Sequence, residues 1–160
     1  MSLGLYLVGG VAAGLGVMLV VLSLLSRRPP ALGLTDGRLT PCPGTPNCVT
    51  SEAGAIDAVG PLDFQGPADA AWDRARAAIT ALGGRIVADQ GDYLRAVFTS
   101  PVLRFADDLE LRLDPQGRVI HVRSAARVGH WDLGVNRRRV LALKSRFRGC
   151  PGRKRTKRGR

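Results

Sequence analysis

From Leu3 to Leu25 the chain carries no charged residue. Wound as an α-helix, this run reaches about 34 Å, enough to cross a hydrocarbon core of roughly 30 Å. A cleaved signal peptide is the competing reading. Its apolar region runs about 7–15 residues and follows a basic stretch. Here the run is longer, and no Lys or Arg precedes it. Residues 1–26 are therefore read as a single-pass transmembrane anchor. Gly10 and Gly14 form a GxxxG flanked by Gly9/Ala13 and Ala12/Gly16. Small faces let helices approach closely, so Gly10 and Gly14 offer a homodimer contact. The plainer reading is that Gly and Ala are simply frequent in such helices.

With 160 residues the chain has room for one ordinary domain. At 45% hydrophobic residues it is neither a disordered chain nor a collagen, and one apolar run excludes a multi-span protein. The net charge of +11 is uneven. Residues 133–160 hold 12 of the 24 basic residues and none of the 13 acidic ones. Residues 149–160 read as a basic disordered tail. Its Arg153–Arg160 run suits anionic lipid headgroups or nucleic acid, through phosphate charge. No aromatic residue is interleaved to stack bases, so nucleic acid is disfavoured and the headgroups are preferred. A solvated tail without a partner is the bland alternative.

Residues 27–59 are rich in Pro and Gly and read as an extended stalk with turns. Within it lie Cys42 and Cys48, six positions apart across a Pro/Gly turn. They suit a small disulfide loop, which persists in an oxidising compartment. Unpaired thiols are the next reading. A zinc site needs four ligands at short gaps, and a redox pair usually has CxxC spacing. Cys150 is left over. The side of the membrane is contested: Arg27 and Arg28 directly after the span favour a cytoplasmic domain, and a disulfide favours the outside.

Residues 60–148 read as the folded domain. Pro67 opens a helix, with Trp72, Ala75, Ile79 and Leu82 on one face, and Gly83-Gly84 stops it. Strands follow over 85–88, 93–100, 104–113 and 119–125, separated by short turns. In the third, Leu109, Leu111 and Leu113 face one way, while Asp108, Glu110 and Arg112 face the other, toward solvent. Asp132 caps a final helix whose inner stripe is Leu133, Asn136, Val140, Leu143 and Phe147. The expected fold is α+β: a two-layer domain with a four-stranded antiparallel sheet and two covering helices.

Polar residues gather around the last strands. Asp107 shares parity with Leu109 and Leu111, so a strict strand buries its carboxylate and demands a partner. Arg123 or Arg127 would supply one. Ser124, Asp132, Asn136 and Arg137 complete the cluster, with Asp108 beside it. One reading is an internal network fixing the strand–helix junction; the other is a site for an anionic or polar ligand. No residue is assigned a catalytic role, and no metal or cofactor is expected. HExxH, GxSxG, P-loop and GxGxxG patterns are absent from the sequence. An enzyme using the carboxylates with His121 or His130 stays as the alternative.

Several segments together carry a family resemblance. They are Pro46-Asn47-Cys48-Val49-Thr50-Ser51, Trp72, Tyr93-Leu94, Arg104-Phe105, Asp107-Asp108-Leu109-Glu110, Val122-Arg123-Ser124, Arg127-Val128-Gly129 and Asp132-Leu133-Gly134-Val135-Asn136-Arg137. Over about residues 42–147 the chain resembles the uncharacterised domain-of-unknown-function family 1499. Many members look exported or membrane-anchored, so the resemblance implies an extracytoplasmic domain and brings no reaction. Similar chains often have Ser where this one has Ala126, and Ser near Trp131, which weakens any serine nucleophile there. The resulting expectation is a membrane-anchored binding or accessory domain of the cell envelope.

Overall fold

The computed structural model describes residues 2–52 and 58–149. Cys150 and the basic residues 151–160 lie outside the described residues, and with them the expected tail. The uncharged run forms α1, Ser2–Ser26, the one described helix long and apolar enough to cross a membrane. A hairpin of β1, Leu34–Thr35, and β2, Arg38–Leu39, turns at Asp36-Gly37. Then come β3, Cys48–Thr50, and β4, Leu62–Asp63. The domain continues through α2, Ala68–Ala81, β5, Arg85–Gln90, and β6, Tyr93–Thr99. It closes with β7, Ala106–Asp114, β8, Val119–Ala126, and α3, Val135–Gly149.

The expected meander is present: β5, β6, β7 and β8 pair antiparallel in sequence order. The sheet is nevertheless six-stranded rather than four-stranded. Its order is β3-β8-β7-β6-β5, and β4 also pairs with β8. Both added strands are only two or three residues long, too short for alternation to reveal them.

One face of the sheet holds the apolar core. Leu94, Leu109, Leu111, Ile120 and Val122 are fully buried there. Trp72, Ala75 and Ile79 from α2, with Val140, Leu143 and Phe147 from α3, cover them. Each Leu, Ile, Val or Phe side chain among them gives about 1.5–3 kcal/mol on burial, which works against the conformational entropy of ordering the chain.

The other face corrects two expectations. The stretch read as a stalk does not extend away. It supplies β3 to the sheet edge, and its β2 packs across β7 and β8 with Leu39 buried. The face assigned to solvent is therefore covered, and Asp108 and Glu110 are 1% and 0% exposed. Alternation had separated the two faces correctly, but it cannot say whether the second one has a roof.

Candidate functional site

The strand period divides the polar residues into two groups on opposite faces of the sheet. Asp107 and Ser124 point to the core face, near where β7 begins, β8 ends and α3 begins. Asp108, Glu110 and Arg123 point to the roofed face.

On the core face Asn136 is the hub. Its Oδ1 accepts from Ser124 Oγ at 2.6 Å and from Arg139. Its Nδ2 donates to the Asn47 carbonyl at 3.2 Å and to Asp132 Oδ2 at 2.8 Å. Two donors and two acceptor sites are thus all used, as a fully buried amide requires. Asp132 also accepts the N–H groups of Gly134 and Asn136, at 2.8 and 2.7 Å, so it caps α3 as expected. Asn47 in turn donates to the Gly129 carbonyl and ties β3 to the loop before α3.

Asp107 does turn inward, but its partner is neither Arg123 nor Arg127. Arg139 of α3 donates to it at 2.6 Å while lying 4.7 Å above the Phe98 ring. Burial pushes the Asp107 carboxyl above its usual range, although Arg139 pulls the other way. Arg139 ends a run of three arginines, a pattern that by itself points to a solvated helix face. Its position one helical turn after Asn136 was the available signal. Leu133 is a second correction: it is 66% exposed instead of lining the inner stripe. The stripe of α3 begins at Asn136, and Leu133 sits before the helix at φ 57°. A bulky side chain in that left-handed region costs about 1–2 kcal/mol.

On the roofed face the carboxylates alternate along β7 and each meets arginine. Asp108 receives Arg127 in a fork, Nε to Oδ2 at 2.7 Å and Nη2 to Oδ1 at 2.9 Å. Arg95 adds a bond to Oδ1 at 2.9 Å. Glu110 receives Arg123 at 2.7 Å and the Tyr93 hydroxyl at 2.8 Å. Burial pushes the Glu110 carboxyl upward against the opposing pull of Arg123 and Tyr93. Burial, then the neighbouring Glu110 charge, pushes the Tyr93 hydroxyl upward as well. Farther along, Arg112 binds Glu52 at 2.9 Å, and Ser51 Oγ lies 3.2 Å from His121 Nδ1. Donors outnumber acceptors: Arg95 Nη2 and Arg123 Nε have no partner among the described residues.

The same arginines hold the preceding chain. Arg127 Nη1 donates to the carbonyls of Ser26 at 3.0 Å and Arg27 at 3.4 Å, at the C-terminus of α1. Arg95 reaches the Pro30 carbonyl at 3.3 Å. Ser26 Oγ accepts the Ala106 N–H at 3.1 Å and donates to the Ser23 carbonyl. A cation at a helix C-terminus meets the negative end of the helix dipole. These bonds fasten α1 directly to the first residue of β7.

A family model described as "Protein of unknown function (DUF1499)" matches residues 38–147. The chain belongs to this family. No curated protein and no solved structure matches it. The DUF1499 match runs from β2 almost to the end of α3, so it contains both polar groups and the disulfide. The helix-end acceptors Ser26, Arg27 and Pro30 lie before it. Cys42 and Cys48 are bonded, with their Cα atoms 5.7 Å apart.

Of the residues nominated from sequence, Asp107, Ser124, Asp132 and Asn136 come together on one face of this DUF1499 domain. Asp108, Arg123 and Arg127 come together on the other. Arg137 stands apart, donating to the Ala58 carbonyl at 3.2 Å. Arg139, Asn47, Arg95, Tyr93 and Ser26 are not among the sequence candidates, and Glu110 enters only as a carboxylate of the enzyme alternative. A surface depression of about 510 Å³, lined by Leu141, Lys144, Ser145 and Arg148, touches neither group. Among the described residues, no group of His, Cys, Asp or Glu is placed to hold a metal ion. Chemically, both groups join chain segments: β3 to α3 on one face, and α1 with its following linker to the sheet on the other.

Proposed function

We propose that this DUF1499 protein is a single-pass membrane protein with an accessory domain at the extracytoplasmic face of the cell envelope. Asp108, Arg127 and Arg95 hold that domain against the end of its anchor, and the Asn136 group fixes β3 to α3; neither group is a receptor for a diffusible ligand. The observation that carries this reading is Arg127, which grips a buried carboxylate of the sheet and the last carbonyls of α1 at once. A polar cluster built to receive a ligand would keep donors open to solvent, whereas here the carboxylates are engaged by the chain itself and the two unpartnered donors, Arg95 Nη2 and Arg123 Nε, are buried.

The Cys42–Cys48 bond supports an oxidising compartment. Arg27 and Arg28 pull toward the cytoplasm by the positive-inside bias. We weigh the covalent bond above two flanking charges. Labelling of intact cells with a membrane-impermeant maleimide tests the assignment, using the full chain with Cys150→Ser. Labelling of Cys42 and Cys48 only after reduction, in sealed cells, is the expected result. Labelling that requires lysis and no reductant would place the domain in the cytoplasm and overturn it.

A further inference from the structure

The end of the domain that receives α1 also carries its most exposed apolar side chains. Two loops form this end: residues 100–105 between β6 and β7, and residues 127–134 between β8 and α3. Val102 is 84% exposed, Trp131 68% and Leu133 66%. Leu103 is exposed as well. Both loops meet the helix terminus. Ala106, which follows the first loop, bonds Ser26 Oγ, and Arg127, which begins the second, bonds the Ser26 carbonyl.

Charge at this end is of one sign. Arg27, Arg28 and Arg104 are exposed there. The two loops contain one acidic residue, Asp132, and its carboxylate is occupied by α3. Arg104 and Leu133 both hold positive φ, at 58° and 57°, so each loop places a non-glycine residue in a conformation that L-residues resist. Strain kept at exposed positions marks a surface shaped for something other than the domain's own core.

The position of α1 says what that is. From Tyr6 to Ser26 the helix rises about 30 Å, the thickness of a hydrocarbon core. With Tyr6 at one interface, Ser26 and the two loops bonded to it lie at the other. Tyr and Trp both favour that layer, and arginine suits the phosphates just beyond it.

We infer that this end of the domain is a membrane-contacting surface. Trp131, Val102, Leu103 and Leu133 sit in the interfacial layer of the bilayer that α1 crosses, with Arg27, Arg28 and Arg104 at the headgroups. The inference rests on the reading of α1 as a membrane span.

The test uses the full chain reconstituted in phosphatidylcholine and phosphatidylglycerol vesicles, with or without acyl chains brominated near their headgroup ends. Emission of Trp131 is taken as the difference between the native chain and Trp131→Phe; the other tryptophan, Trp72, is buried in the core and common to both. The expected result is loss of most of the Trp131 emission in brominated vesicles, and emission at shorter wavelength than in water. Flotation after an alkaline wash is measured on the same samples. Protein that floats while its Trp131 emission is equal in both vesicles overturns this inference alone, and leaves a second copy or another protein as the occupant. Protein that does not float overturns the membrane span and this inference together.

Discussion

Arg127 and Asp108 face each other across the β7–β8 pair in a two-bond fork, at 2.7 and 2.9 Å, with both side chains withdrawn from water. Asp108 is also the acceptor for Arg95, so one carboxylate serves two buried guanidinium groups. A buried pair of this kind adds little net stability over an apolar substitute, because desolvation offsets the attraction. Removing one member is a different matter, since it strands the other.

Asp108→Asn should therefore cost about 3–5 kcal/mol, leaving Arg95 and Arg127 without a counter-charge. Denaturation of the full chain in detergent micelles measures this. A cost below about 1 kcal/mol, the size of an exposed pair, would mean that the carboxylate is hydrated after all.

Asn136→Leu keeps the branching of the side chain, at somewhat larger volume, and removes all four of its side-chain bonds. Ser124, Arg139, Asp132 and the Asn47 carbonyl each lose a partner, and an orphaned buried group costs about 1–3 kcal/mol. We expect a loss of at least about 3 kcal/mol, with faster amide exchange at the start of α3. Unchanged exchange there would show that the capping by Asp132 is sufficient alone.

Glu52 gives a pH signature. Burial alone would raise its pKa, but the Arg112 hydrogen bond, the His121 and Arg112 charges and the Leu39 N–H together hold it below the usual 4.5. A carboxylate depressed on folding stabilises above its unfolded pKa, and that contribution vanishes as the pH falls through the folded value. The difference in melting temperature between the native chain and Glu52→Gln should accordingly be largest at neutral pH and close below pH 4.5. Asp107 and Glu110, whose pKa values rise on folding, act in the opposite sense: their contribution is lost as the pH rises. Both are common to the two proteins and cancel in the comparison.

Replacing Cys42 and Cys48 by Ser opens a loop of sequence separation 6. The chain-entropy relation gives about 2 kcal/mol for so short a loop. The same loss should follow addition of reductant to the native chain, and no further loss should follow reductant in the double variant.

Gly84 is a packing constraint that no charge pattern reveals. A Cβ there would meet Phe98 Cζ at 2.6 Å and Ile79 Cγ2 at 2.7 Å. Gly84→Ala should destabilise by about 1–3 kcal/mol through overpacking. Restoration by Phe98→Leu would identify the clash as the cause.

The helices, the four long strands and the inward turn of Asp107 were all legible, because period 3.6 and period 2 report local geometry directly. What escaped was set by contacts between distant segments. Two-residue and three-residue strands have no period to read, so β3 fell within a supposed stalk and β4 within an unassigned stretch before α2. Asp108 and Glu110 looked solvated because nothing in β7 announces that residues 27–52 will lie across it. Arg139 escaped for a related reason: a triple-arginine run reads as surface until one of the three is seen to reach the inward-turned Asp107.

The joint at Ser26 has a mechanical consequence. A flexible tether would let the sheet swivel independently of α1. Here the hydroxyl and carbonyl of Ser26 are bonded to Ala106 and Arg127, so helix and sheet turn as one lever. Wherever α1 crosses a bilayer, its tilt is then also the tilt of the domain, so a change in bilayer thickness that tilts the helix also turns the domain against its surroundings.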